Sequence, residues 1–288
     1  MNTRTYIPLL AAILITSNAA AELAPRSAAE PVARAPSAPP LHHGLVQKKL
    51  GFYAVYLPPD YTHAEARDKR YPVCVILHGH GSTETGHGSL SDPLGRDGVI
   101  YIAPRAAYPH EGVFMRRGEP GWTAWPTYPE AWGDFTGADY PLEHLGDIDL
   151  ERLHSDWIAD CIRDVTKRYR TDDRKVVVVG HSQGAAWAHK VAVHHPSLVR
   201  SYFAYAGHYP EEFRTEAVAE SMKQHKIAPV ILHHAADTLV EKEATQVFLD
   251  FLEKHEVPHT GSILPGGTHA LDIDIIERMR AYVDEQCR

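Results

Sequence analysis

Four consecutive valines, residues 176–179, lead directly into Gly180-His181-Ser182-Gln183-Gly184, and a helix-forming segment that begins with two alanines follows. A continuous apolar run of this kind is typical of a strand buried on both faces of a parallel sheet. The pattern therefore predicts a strand, a sharp turn and a helix, with Ser182 at the turn. Such a turn needs glycine two residues away on each side, because larger side chains would collide there. We predict that Ser182 is a nucleophile; the alternative is an ordinary glycine-rich loop.

Strand and helix patterns alternate along the chain after residue 50. Predicted strands cover residues 51–57, 71–77, 99–103, 176–179, 202–206, 229–233 and 262–264, and the first is predicted to pair with residues 44–50. Apolar residues at helical spacing predict helices over residues 150–165, from residue 183 onwards, over 244–252 and over 275–283. This alternation predicts an α/β fold with a mainly parallel central sheet and helices on both faces. Sites in such sheets form at the carboxyl ends of the strands.

A serine nucleophile needs a base that takes its proton and a carboxylate that orients the base. When the serine follows a strand–turn–helix of this type, the order along the chain is serine, acid, histidine. Asp237 lies just past the predicted strand 229–233 and is the predicted acid, whereas Asp250 falls within a helix. The alternative role for Asp237 is that of a surface-turn aspartate that caps the following helix.

The predicted base is His269, which lies in a glycine-rich loop between the last strand and the last helix. The chain has 20 histidines, so position along the fold decides the choice. His259 lies at the opening end of the last strand, which is the opposite edge of the sheet, and His255 ends a helix. The predicted catalytic residues are therefore Ser182, Asp237 and His269.

An acyl-transfer site also needs an oxyanion hole, two backbone N–H groups that point at the negative oxygen of the intermediate. The predicted first donor is Gln183, the residue after the nucleophile. The second is predicted to come from His78-Gly79-His80-Gly81, the loop after strand 71–77, where glycine allows close backbone approach. His80 is the predicted donor in this loop, and Gly81 is the alternative.

A long segment, residues 105–148, separates strand 99–103 from the next helix and is rich in proline and aromatic residues. Long segments without a clear secondary-structure pattern are usually functional or disordered. Because this one leaves the carboxyl end of a strand, we predict a lid-like insertion that covers the site. Trp122, Trp125 and Trp132 are predicted to bind the substrate, since such rings suit aromatic or sugar groups. The alternative is that these tryptophans only pack the insertion together.

Residues 1–41 are predicted to lie outside the folded domain, which is predicted over residues 42–288. Residues 1–21 combine an early arginine, an apolar run and a final cluster of alanines, which is the pattern of a secretory signal peptide. A membrane anchor is the alternative, but the apolar run is too short to cross about 30 Å of hydrocarbon. Residues 22–41 are rich in Ala and Pro and predict a linker. The protein is therefore expected to be secreted or periplasmic.

The formal net charge of -8 argues against nucleic acid or an anionic membrane as a partner, and no basic patch of useful length is present. No membrane contact is expected after cleavage of the signal. Adjacent histidines such as His233-His234 rarely bind one metal ion together, and no established zinc-binding spacing occurs. We therefore predict no metal and no cofactor, and the oligomeric state stays open.

The nucleophile motif, Asp237 and His269 together resemble the serine esterases of the α/β-hydrolase superfamily, from about residue 44 to the end of the chain. The motif itself is similar to that of the bacterial carboxylesterase/phospholipase group, which often has Phe where this chain has His181. Other segments are similar to the esterase D and polyhydroxybutyrate-depolymerase-like esterases: Tyr56-Leu57-Pro58-Pro59-Asp60-Tyr61, Tyr71-Pro72-Val73 and His78-Gly79. The resemblance implies the α/β-hydrolase fold and a metal-free hydrolase that acts through an acyl-enzyme. We predict that the substrate is a small or polymer-derived carboxylic ester.

Two other functions stay open. A peptidase or amidase on the same fold would share all three catalytic residues. A non-catalytic binding protein on a hydrolase scaffold is the second alternative. The complete set of serine, aspartate and histidine argues against a binding protein, because a degenerate site usually lacks one member.

The resemblance also implies where two of the three cysteines lie. The helix with Cys161 and the last helix, with Cys287, are expected to cover opposite faces of the sheet. A disulfide needs Cα atoms within about 7 Å of each other. We therefore predict no bridge between Cys161 and Cys287.

Overall fold

A seven-stranded β-sheet forms the centre of the protein in the computed structural model, which describes residues 51–106, 108–109, 123–125, 150–209 and 211–288. In chain order, the strands of this sheet and of a separate two-stranded ribbon are β1 Tyr53–Tyr56, β2 Tyr71–Leu77, β3 Ile100–Pro104, β4 Tyr108–Pro109, β5 Thr123–Ala124, β6 Thr171–His181, β7 Ser201–Tyr205, β8 Val230–His234 and β9 Thr260–Leu264. The large sheet has the order β1-β3-β2-β6-β7-β8-β9, and β4 pairs with β5. Within the large sheet, β1 runs antiparallel to β3 and every other neighbouring pair is parallel. The carboxyl ends of the parallel strands therefore meet at one edge.

The described helices lie between these strands, except the last, which follows β9. They are α1 Glu84–Gly88, α2 Ser91–Leu94, α3 Leu150–Arg168, α4 Gln183–His194, α5 Glu216–His225, α6 Lys242–Lys254 and α7 Ile273–Cys287. Short 3-10 helices cover Pro59–Thr62, Ala64–Ala66 and Glu211–Phe213. Side-chain oxygens cap two of the longer helices: Thr215 accepts from a backbone N–H of α5, and Asp272 does the same for α7. In the part of the chain described, no helix is both long enough and apolar enough to cross a membrane.

Both faces of the sheet are buried, which explains the unbroken apolar runs of the central strands. In β6, Val176 and Val178 pack in the cluster that also contains residues of α3, α4, α5 and α6. Val177 and Val179 pack in the second cluster, with residues of α2 and α7. None of these four valines is more than 1% exposed. The strand that leads to Ser182 is therefore fixed by packing from both sides.

The predicted α/β architecture is confirmed. Strand ends differ from the predictions, and the short helices α1 and α2 and the ribbon of β4 and β5 are not predicted by the sequence patterns. Strand β6 starts earlier than predicted, at Thr171, because this residue pairs with Tyr71 across a register shift. Helix α5 is not predicted from the sequence, because its buried positions are only Ala219 and Met222, and so few apolar residues give a weak helical period. The predicted pairing of residues 44–50, the signal peptide and the linker lie outside the described residues.

All three cysteines are buried and none is in a disulfide. Cys161 of α3 packs in the first cluster, whereas Cys287 of α7 packs in the second, across the sheet, with Cys74 of β2. The two helices therefore cover opposite faces, as the resemblance implies.

Candidate active site

Ser182 lies at the turn between β6 and α4, at the carboxyl end of a central strand. Its backbone has a φ of 57° and a ψ of -123°, a left-handed conformation that is strained for a residue with a side chain. A Cβ atom added at Gly180 would lie 2.1 Å from Gly184 O, and one added at Gly184 would lie 2.1 Å from Leu77 O. Side chains do not fit at such distances, so both glycines of the motif are required by the close approach of the backbone.

Asp237 follows β8, and its fully buried carboxylate is hydrogen-bonded through both oxygens. Oδ1 accepts from the backbone N–H of Leu239 at 2.8 Å and of Val240 at 3.0 Å. Oδ2 accepts from Nδ1 of His269 at 2.7 Å. Burial raises the pKa of Asp237, but the hydrogen bonds from Val240, His269 and Leu239 outweigh burial and hold this pKa below its ordinary value. The carboxylate is therefore negative at neutral pH.

His269 lies in the loop between β9 and α7, where two glycines make the backbone turn sharply. Gly266 and Gly267 have φ values of 66° and 67°, and a Cβ atom on Gly267 would lie 2.0 Å from Nδ1 of His234. The side chain of His269 is 14% exposed, so it is mostly buried but still accessible to solvent. Because Nδ1 donates to Asp237, the other ring nitrogen, Nε2, is left for proton transfer.

His181, the residue before the nucleophile, connects Ser182 to His269. Its Nε2 lies 2.7 Å from the carbonyl oxygen of His269, and the two imidazole centroids are 4.9 Å apart. The structure therefore joins Asp237 and His269 directly, and Ser182 follows His181, which contacts the His269 segment, at the carboxyl edge of the sheet. Their action as a catalytic triad stays a prediction.

The loop His78-Gly79-His80-Gly81 follows β2 and contacts Ser182. A Cβ atom on Gly79 would lie 3.2 Å from Cβ of Ser182. His78 is buried and holds the loop: its Nδ1 donates to Gly79 O at 2.7 Å, and its Nε2 accepts from Ala106 N at 3.1 Å. Burial lowers the pKa of His78 to about 4, so the ring is neutral at neutral pH and keeps this proton arrangement.

Of the two predicted oxyanion donors, Gln183 directly follows Ser182 in the chain, and His80 follows Gly79, whose backbone lies against Ser182. Gln183 is the first residue of α4, and His80 is an exposed residue of the loop that crosses the nucleophile. The N-terminus of α4 also favours a negative charge at this place. The roles of Gln183 and His80 as donors, with Gly81 as the alternative to His80, stay predictions.

Of the three tryptophans predicted to bind substrate, Trp125 is described, whereas Trp122 and Trp132 lie outside the described residues with most of the insertion 105–148. Trp125 is 2% exposed. Its indole Nε1 donates to His78 O at 2.9 Å, and its backbone N–H donates to Oε1 of Gln183 at 3.1 Å. Trp125 is therefore hydrogen-bonded to both segments that are predicted to form the oxyanion hole, the loop after β2 and the start of α4. Substrate contact by these tryptophans and a lid over the site stay predictions.

A second histidine, His233, lies beside the predicted acid and has no role predicted from the sequence. It is fully buried, with Nε2 2.9 Å from Val240 O and 3.3 Å from Oδ2 of Asp237, and with Nδ1 2.7 Å from Oγ1 of Thr245. Because a carbonyl oxygen can only accept, Nε2 carries the proton. Burial lowers the pKa of His233, which keeps it neutral beside the carboxylate. His233 lies at the end of a buried strand, four residues before the predicted acid. This position is the sequence signal from which its contact with Asp237 could have been predicted.

Adjacent histidines such as His233-His234 are residues of a type that binds metal ions. Among the described residues, no group of three or more His, Cys, Asp or Glu side chains is arranged to hold a metal ion.

Residues 62–286 match the family model described as phospholipase/carboxylesterase, and this range contains Ser182, Asp237, His269 and the loop 78–81. The chain belongs to the phospholipase/carboxylesterase family. It is accordingly a carboxylic ester hydrolase. A search of curated proteins finds no match to this chain.

Solved structures of esterases share the fold of this carboxylesterase-family chain. Esterase PE8 is 18% identical with a TM-score of 0.58, and the similarity covers 82% of this chain and 99% of that one. The carboxylesterase of Bacillus cereus is 16% identical with a TM-score of 0.57, over 82% of this chain and 95% of that one. A carboxylesterase from Mesorhizobium loti is 17% identical with a TM-score of 0.55, over 81% and 94%. These similarities show the α/β-hydrolase fold.

Proposed function

We propose that this enzyme is an exported serine esterase that cleaves small or polymer-derived carboxylic esters through an acyl-enzyme on Ser182. The observation that carries the proposal is the 2.7 Å hydrogen bond between Asp237 and His269, at the sheet edge where Ser182 has a strained backbone. A serine, a histidine and a buried carboxylate in this arrangement provide a nucleophile, a base and a group that orients the base.

Acylation begins when Nε2 of His269 takes the hydroxyl proton of Ser182 while Oγ attacks the ester carbonyl carbon. The π electrons of the carbonyl move to its oxygen, which becomes an oxyanion that the N–H groups of Gln183 and His80 stabilise. When this intermediate collapses, the bond to the alcohol oxygen breaks and His269 gives its proton to the leaving alcohol. The acyl group stays on Ser182 as an ester.

Deacylation repeats these steps with water as the nucleophile. His269 takes a proton from water, and the resulting hydroxide attacks the acyl carbon on Ser182. The second intermediate collapses with return of the proton to Oγ, which releases the carboxylic acid and restores the free serine. The same oxyanion hole serves both steps.

The negative charge of Asp237 supports both steps. His269 becomes positive each time it takes a proton, and the carboxylate 2.7 Å away stabilises that charge. Because the Asp237 side chain is fully buried, water screens this attraction weakly. The low pKa of Asp237 keeps the charge in place across the neutral range.

Hydrolysis of matched nitrophenyl esters and nitroanilides tests the reaction class. We expect turnover of a short-chain ester, and Ser182→Ala should lower kcat by at least about 10³-fold while the fold is retained. Ser262→Ala, at an exposed serine of β9, should keep the wild-type rate. Faster cleavage of anilides than of esters would favour an amidase. A folded protein that cleaves neither compound would favour a binding protein.

Export is supported by the signal-like pattern of residues 1–21. Expression of the full chain in a bacterial host, followed by intact mass of the protein outside the cytoplasm, tests this part. The expected mass corresponds to cleavage after Ala21. Full-length protein that stays entirely in the cytoplasm would contradict export without affecting the esterase proposal.

A further inference from the structure

His181 and Tyr205 form a stacked pair beneath the loop that carries His269. They lie at paired register positions of the neighbouring parallel strands β6 and β7. Their ring centroids are 5.5 Å apart with an interplanar angle of 16°, and His181 also stacks on His87 at 5.8 Å and 12°. The pair is therefore fixed to the ends of two central strands, next to Ser182.

Three consecutive carbonyl groups of the loop, residues 268–270, lie within hydrogen-bond distance of this pair. Nε2 of His181 donates to His269 O at 2.7 Å. The hydroxyl of Tyr205 donates to Thr268 O at 2.6 Å and lies 3.2 Å from Ala270 O. Because carbonyl oxygens only accept, the protons must reside on Nε2 of His181 and on the Tyr205 hydroxyl.

His234, at the end of β8, fixes the direction of the Tyr205 proton. Its Nδ1 lies 3.1 Å from the Tyr205 hydroxyl and 3.3 Å from Thr268 O. The carbonyl can only accept, so Nδ1 is the donor. The Tyr205 hydroxyl therefore accepts from His234 and keeps its own proton for the loop carbonyls.

His181 holds the loop without adding a charge. Burial lowers the pKa of His181 to about 3, so the ring is neutral at neutral pH. Among the described residues, Nδ1 of His181 has no hydrogen-bond partner, which leaves His269 O as the partner of this ring. Neutrality is important because a second cation with its ring centroid 4.9 Å away would oppose the positive charge that His269 acquires.

We propose that His181 and Tyr205 are positioning residues for the base: they fix the backbone of residues 268–270 so that His269 keeps its place between Asp237 and Ser182. The inference rests on the proposed role of His269 as the base. Neither side chain has to touch the substrate. A displacement of about 1 Å at a catalytic group can cost about 100-fold in rate. Loss of either hydrogen bond is therefore expected to change kcat more than KM.

Three variants separate the hydrogen bonds from ring packing. His181→Phe and Tyr205→Phe keep an aromatic ring and remove the donor. His181→Gln removes the ring but keeps an N–H near the place of Nε2. Tyr101→Phe is the matched control, because the Tyr101 hydroxyl also donates to a backbone carbonyl, at Gly95, but belongs to β3. Each variant is measured for kcat and KM on a short nitrophenyl ester, for the rate of labelling by a fluorophosphonate, and for Tm.

We expect both Phe variants at 181 and 205 to lower kcat and the labelling rate by about 10- to 100-fold, with KM changed by less than about twofold. His181→Gln should recover most of the loss seen in His181→Phe. Tyr101→Phe should lower Tm and leave kcat unchanged. A purely structural role for the pair would instead lower Tm without this split between kcat and KM.

Wild-type kcat in folded His181→Phe and Tyr205→Phe would overturn the inference, and so would a His181→Gln variant as slow as His181→Phe. If one of the two Phe variants does not fold, the kinetics of the other variant test the inference. If neither variant folds, His181 and Tyr205 are structural residues and the inference is wrong. Failure of the proposed function is seen separately, because the wild-type protein would then not be labelled at Ser182.

Discussion

At Ser182 the chain adopts a backbone conformation that costs about 1–3 kcal/mol for a residue with a side chain. The structure tolerates this cost because β6 is buried on both faces and the first turn of α4 lies against the end of β2. The same conformation sets the serine at the edge where the loops with Asp237 and His269 meet. The strained backbone conformation of Ser182 therefore positions its side chain at the site.

The two kinds of glycine in the site should respond differently to alanine. Gly184→Ala places a Cβ atom 2.1 Å from Leu77 O, so the turn or β2 has to move. Gly266→Ala meets no atom within 4 Å and suffers only from its φ of 66°, at a cost of about 1–2 kcal/mol. Urea denaturation should show a clearly larger loss of unfolding free energy for Gly184→Ala. Equal losses would contradict the packing described for the motif.

Asp237 and His269 should act as one unit with Ser182. We expect Asp237→Asn and His269→Ala each to lower kcat by at least about 10³-fold, and the double variant to be no slower than the slower single variant. The physical reason is that the carboxylate works only through the imidazole that it orients and stabilises. Steady-state kinetics on a short ester checks this. If the fold reduction in kcat of the double variant equals the product of the reductions in the two single variants, one of the two residues is misassigned.

At the scale of elements, the strands and the order of the site loops were predictable from the sequence. Burial on both faces produces apolar runs such as residues 71–77, which coincide with β2. Once the strands are predicted, the residues that follow their carboxyl ends can be read from the sequence. This predicts that Ser182, Asp237 and His269 lie at one edge of the sheet. Helix α5 was missed because its exposed surface leaves few apolar positions.

The contacts that support the loops could not be predicted in the same way. The hydrogen bonds of His181 and Tyr205 to residues 268–270, and of Trp125 to His78 O, join segments that are distant in sequence. They depend on strand register and side-chain rotamers, for which an apolar pattern holds no information. With 20 histidines in the chain, composition does not single out His181 or His233 either.

The hydrogen bond from Trp125 to His78 O links the segment after β5 to the loop after β2. Trp125→Phe removes the N–H that donates to His78 O and should lower kcat by about tenfold, because the predicted oxyanion donor His80 lies in the same loop. The loss should be equal for bulky and small esters, measured as the ratio of their kcat/KM values. A tenfold rise in KM confined to bulky or aromatic esters would instead show that Trp125 lines the substrate pocket.

At the scale of the whole molecule, buried neutral histidines should set the response of stability to acid. Burial lowers the pKa from 6.5 to about 4 for His78 and His87 and to about 3 for His181. Below pH 6.5 the unfolded chain therefore binds protons that the folded chain does not. We therefore expect these three residues to make the free energy of unfolding fall as the pH drops below 6.5 towards the folded pKa values.

Urea denaturation between pH 7 and pH 4 checks this response. We expect the unfolding free energy of the wild-type protein to fall with decreasing pH over this range. His181→Phe removes one of the groups, so its slope should be shallower by up to about 1.4 kcal/mol per pH unit at the acid end. Identical slopes would show that His181 is not held neutral by the fold.

If Ser182 is the nucleophile, a reagent that reacts with activated serines must form a covalent adduct there, and locating this adduct tests its role. The folded protein is treated with a fluorophosphonate, digested, and the modified residue is identified by mass spectrometry. We expect a single adduct per chain, on Ser182, with loss of ester hydrolysis in proportion to labelling. We also expect no adduct in Ser182→Ala and wild-type labelling in Ser262→Ala. An adduct on another serine, or wild-type ester turnover by Ser182→Ala, would contradict the claim.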